Sequence, residues 1–194
     1  MRLTTTADRH DLLAAERFLA AEACIAVTFG RIEEAVAPLL RTMRATGRTT
    51  YATDPERGAI WGHAFLRPPY APDAAAEWFL AWGLRFPDGG TGWDGADPPL
   101  PRGVHAVVAL GAGGGPQRRP GSLPRARLPR GWSALDGEAA FLAAALPLHG
   151  LPAEPDAMAE ALAAWTLARL EDLRTVLPGL AAGWGGGNRP AVPR

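Results

Sequence analysis

The chain has 194 residues with 20 basic and 20 acidic side chains, so its formal net charge is zero and no global field draws it to nucleic acid or an anionic membrane. All 20 basic residues are arginine. The missing lysine excludes a GxxxxGK[ST] phosphate loop and any Schiff base to a carbonyl substrate or pyridoxal phosphate, and it disfavours nuclease cores that set a lysine beside paired carboxylates.

This length suits one domain with a real core. Alanine, glycine, proline and arginine are abundant, Asn188 and Gln117 are the single amides of their kinds, and this is the usage of a GC-rich, bacterial genome. Cys24 is the single cysteine, so no intrachain disulfide can form. Its neighbours Ala23, Ile25 and Ala26 predict a buried small residue, not a reactive thiol, which would need an electropositive, open setting. The first residues, MRLTTTADRHDLL, carry charge where a signal peptide is apolar. No apolar run approaches the ~20 residues of a membrane span. A cytoplasmic protein without membrane contact is the expectation.

In chain order, Thr5, Thr6 and Asp8 have the spacing of a capping box. A helix is predicted over 7–26, with Leu12, Ala15, Leu19 and Ala23 in one row. Thr28, Phe29 and Gly30 are expected to interrupt it. A second helix follows over 31–46, with Ile32, Val36, Leu39, Leu40 and Met43 at helical spacing, a kink or late start at Pro38, and a stop at Gly47. Residues 49–53 and 59–66 then read as a hairpin around the turn Asp54–Gly58.

Over 77–86, read EWFLAWGLRF, Trp78, Leu80, Trp82, Leu84 and Phe86 fall on alternate positions, the period of a strand with one buried face. Pro72, Asp73 and the following AAAE support a rival helix, but Gly83 and the strand-like neighbours favour the strand. Residues 87–103 form a Gly/Pro-rich loop, and 104–110 (VHAVVAL) is apolar on both faces, as a central strand would be. Residues 111–131 read as an exposed arginine- and proline-rich loop. Ser133 and Asp136 look like the cap of a helix over 134–146, and a last helix is predicted over 156–177, with Leu162, Thr166, Leu170, Leu173 and Leu177 in one row. The expected fold is α+β: an antiparallel sheet of about four strands (near 49–53, 59–66, 77–86 and 104–110) covered by N- and C-terminal helices, forming one domain over 1–178, with a disordered Gly/Pro-rich tail over 179–194.

No motif completes a catalytic constellation. Gly111–Pro116 follows a strand, yet a proline stands where the dinucleotide fingerprint needs its third glycine, and no helix follows. GGTGWD at 89–94 matches one calcium-binding nonapeptide core, a site that requires stacked copies. GWSAL at 131–135 lacks the final glycine of a nucleophile elbow. No cofactor is therefore expected. His63, His105, Asp88, Asp94 and Asp97 are the candidates for a metal, or for a small His/Asp-dependent enzyme, should the fold gather them. Arg118, Arg119, Arg125 and Arg127 could grip an acidic partner or phosphates, though no regular aromatic interleaving accompanies them, which makes nucleic acid the weaker alternative.

The expectation is a non-enzymatic binding, adaptor or structural partner protein acting through protein–protein contacts, with another protein or its own copies. Trp93 and Trp132, on or beside loops, join the four loop arginines as the candidate contact residues.

Overall fold

A computed structural model describes residues 6–54, 59–72, 78–85, 96–97, 104–112, 128–135 and 140–184. Helix α1 (Thr6–Thr42) leads into β1 (Thr46–Asp54), β2 (Ala59–Phe65), β3 (Trp78–Arg85), β4 (Ala96–Asp97), β5 (His105–Ala112), β6 (Trp132–Leu135), β7 (Ala140–Pro147), and helix α2 (Pro155–Trp184). All seven described strands join one antiparallel sheet in the order β1-β2-β3-β5-β7-β6-β4, in which β4 is a two-residue edge bridge. The α+β expectation holds, with more strands than the four foreseen.

The alternation read in EWFLAWGLRF is the organising feature. Trp78, Leu80, Trp82 and Leu84 are buried toward the helices, together with Ala106, Val108, Leu110, Leu142 and Ala144 of the neighbouring strands. Register explains how the large rings fit. Gly62, Trp82, Val108, Ala144 and Trp132 are successive cross-strand partners, so Trp82 lies beside Gly62 and Trp132 beside Ala144. Trp82 is 1% exposed, so this face is the structural core and not an open aromatic surface. On the reverse face Ala81, Ala109 and Ala143 form one row, flanked by Trp61 and Phe79.

Three expectations about elements are corrected. The helix over 134–146 is absent: Trp132–Leu135 and Ala140–Pro147 are strands, and Ser133 lies within β6, not at a cap. The alanines of AFLAAAL are strong helix formers, but Ala143 completes the flat alanine row while Leu142 and Ala144 face the helices. Pairing on two sides outweighs an intrinsic preference of a few tenths of a kcal/mol per residue.

The break at Thr28–Gly30 is also absent, and α1 is one helix of 37 residues. The Thr28 hydroxyl donates to the carbonyl of Cys24 at 2.9 Å, which occupies it inside the helix. One glycine costs about 1 kcal/mol, too little to end a helix anchored by its packed second half. Pro38 is likewise carried inside α1.

Finally, the stop of α1 is not Gly47. Arg44 takes the left-handed conformation (φ 53°), with Ala45 N–H bonded to the Leu40 carbonyl and Arg44 N–H to that of Arg41, a Schellman end. Gly47, also at positive φ, lies in β1, where a Cβ would come within 2.8 Å of the Phe65 ring.

The C-terminal helix keeps its expected row: Leu162, Thr166, Leu170, Leu173 and Leu177 are all buried. Its start is set by Glu154, whose carboxylate accepts from the backbone N–H groups of Asp156 and Ala157, with Pro155 in the first turn. The helix runs on to Trp184, into the stretch expected as a disordered tail, and 185–194 lie outside the described residues.

Register also fixes the direction of the helices. Thr46 pairs with Phe65, which is aligned through Phe79 with Gly111, so α1 finishes at the Ala112 end of the sheet. His105 pairs with Pro147, and Leu148 N–H bonds to the Val104 carbonyl, so α2 begins from the opposite end. The two helices therefore run parallel on one face, and the first half of α1 extends beyond the start of α2.

Candidate functional site

Burial divides α1 sharply. From Thr28 onward its inner row, Phe29, Ile32, Val36, Leu40 and Met43, is buried in the core. Before Thr28, no described side chain from position 13 to 27 is buried; Cys24 and Ile25 are half-buried and the others exposed. At 1.5 Å per residue the 22 residues from Thr6 to Val27 form an arm about 33 Å long. The junction is marked by Arg31, whose guanidinium lies 3.6 Å from Glu160 at the start of α2 and 3.5 Å from Glu34.

The arm is not a polar, self-sufficient helix. Leu13, Leu19 and Val27 are 43%, 62% and 52% exposed, and they are the only large hydrophobic side chains exposed among the described residues. Ala20, Ala21, Ala23 and Ala26 are exposed around them. Scattered single apolar residues are ordinary on a surface; here the three stand on one helix. Helix formation by itself gains little in water, and these described residues have no buried row to anchor them.

The residues singled out in the sequence are distributed differently. Trp93, Arg118, Arg119, Arg125 and Arg127 lie outside the described residues, as do Asp88 and Asp94. Trp132, expected beside a loop with its indole open, instead opens β6 and is 7% exposed within the helix-facing core. Cys24, expected buried, is half-buried on the arm.

His63 and His105 share the reverse face of the sheet but are not neighbours. His63 is aligned through Ala81 with Ala109, four residues along β5 from His105, so the two lie about 13 Å apart along the strands and about 10 Å across them. His63 stands between Trp61 and Phe65, tilted to the first ring and edge-on to the second, with centroids 5.5 Å away on either side. Asp97 is in β4, five strands from β2, or about 24 Å across the sheet. Among the described residues, no group of three or more His, Cys, Asp or Glu side chains is placed to hold a metal ion. No described helix is long and apolar enough to cross a membrane.

Sequence reasoning missed the arm because it ended the first helix before Thr28 and assigned its apolar row to a core. The available signal was the row Leu13, Ala20, Ala23, Val27, which lies on the side opposite the buried row of the second half.

No protein-family model, no curated protein and no solved structure matches this chain.

Proposed function

We propose that this chain is a non-enzymatic binding or adaptor protein that acts through protein–protein contacts, with the arm of α1 as its docking element. The observation that carries this reading is the gathering of the exposed large hydrophobics, Leu13, Leu19 and Val27, on one projecting helix. An apolar helical face is a standard unit of recognition, read as anchors one or two turns apart. The packed body then serves as the rigid mount, since the sheet and α2 hold the second half of α1 in place.

The test is site-specific photo-crosslinking in the protein's native cells. A crosslinker at position 19 or 27 is expected to give discrete protein adducts, while one at Thr175, exposed on α2, gives none. Equal adduct patterns at positions 19 and 175 would refute a docking role for the arm.

A further inference from the structure

We infer that residues 128–135 form a latched strap, a turn and short strand that open from the body as a unit, apart from global unfolding, with Arg169 of α2 as the latch. This device is independent of the docking role of the arm.

The strap is lightly joined to the sheet. At the centre, β5 pairs with β3 over eight residues and with β7 over seven. By contrast, β6 pairs with β7 at three positions, Trp132–Ala144, Ser133–Ala143 and Ala134–Leu142. On its other side it meets the two-residue β4, at Leu135–Ala96 and Ala134–Asp97. A short ladder near a sheet edge is where a protein opens at low free energy. Yet the cargo of β6 is not that of an edge. Trp132 is 7% exposed in the helix-facing core, and Leu135 is 8% exposed on the reverse face. Opening therefore withdraws an indole from the core, and the closed state depends on what holds the turn before it.

That turn is held by α2. Leu128 packs against the core, the Trp132 N–H donates to the Pro129 carbonyl at 3.2 Å, and Gly131 takes φ +87°, a conformation that side chains avoid. Between these points the Arg169 guanidinium donates from Nη1 to the Arg130 carbonyl at 2.9 Å. The same nitrogen lies 3.0 Å from the Asp172 carboxylate one turn along α2, which fixes its direction. A Cβ on Gly131 would stand 3.4 Å from it, so the guanidinium closes directly over the turn. A charge-assisted bond in a side chain still 24% exposed can hold the turn and can also be exchanged for water.

The experiment is native-state hydrogen exchange on the full chain at increasing denaturant, read at the β6 amides that pair with β7 and at the β5 amides around Val108. In the wild type the β6 amides are expected to exchange at least about tenfold faster than those of β5, with a smaller dependence on denaturant, as a partial opening requires. Ile32→Val, a core change on α1, is expected to speed the β5 amides about tenfold and to leave the β6 amides at the wild-type rate, because the strap opens without disturbing that core. Arg169→Ala is expected to speed the β6 amides about tenfold by removing the bond to Arg130. The β5 amides move with them, since that bond is also lost on global unfolding. Wild-type β6 amides that exchange as slowly as those of β5, or that speed up equally in Ile32→Val, overturn the separate opening whatever the Arg169 variant does. A β6 rate unchanged in Arg169→Ala overturns the latch.

Discussion

The two halves of α1 differ in what surrounds them more than in what they are made of. From Thr28 to Met43 the helix turns Phe29, Ile32, Val36 and Leu40 into a core shared with α2 and the sheet. The preceding half carries leucines, alanines and valine at similar density, yet its described side chains are exposed apart from the half-buried Cys24 and Ile25. One helix thus continues across a boundary where its burial among the described residues stops. Apolar content alone did not decide burial; the length of the sheet and the starting point of α2 did.

The largest effect expected is in the layer beneath the packed half. Trp82→Ala should cost about 3–5 kcal/mol, measured by chemical denaturation, because it removes a fully buried indole from the centre of the sheet. The sharpest single comparison uses one residue type on one helix. Leu40→Ala should cost about 2–5 kcal/mol, whereas Leu19→Ala should change the stability of the dilute, monomeric chain by no more than about 0.5 kcal/mol. Similar costs for the two leucines would mean that the arm is packed and that the contrast fails. Gly47→Ala, where the packed half meets β1, should cost about 1–3 kcal/mol, since the new methyl meets Phe65 at a backbone angle that side chains avoid. Glu154→Ala should cost about 1 kcal/mol by freeing the first N–H groups of α2. The smallest effect has the opposite sign: Arg44→Gly should raise stability by about 0.5–1 kcal/mol by relieving the left-handed arginine that ends the packed half. Amide exchange should separate the halves directly, with faster exchange before Thr28 than after it in the dilute chain.

Much of this was written in local pattern. Strict alternation from Trp78 to Leu84 determined β3 and its buried face, because a period of two has only one accommodation in a half-helical, half-sheet protein. The doubly apolar run His105–Leu110 determined a central strand, and the row Leu162 to Leu177 determined the inner face of α2. The absence of lysine excluded whole chemistries before any fold was known.

What only the tertiary structure decided was everything set by a distant neighbour. AFLAAAL became a strand because β5 and β6 pair with it on both sides, and alanine, a helix former in isolation, is what a flat sheet row can hold. Trp132 left the surface because β6 lies beside Ala144, leaving room above a small residue for its ring. Helix α1 ran past Gly30 because one unfavourable residue costs too little to end a helix whose second half is held by packing. The arm emerged as the candidate site for the same reason: local sequence specifies that an apolar helical face exists, and only the arrangement of all the other elements determines whether anything in the chain reaches it.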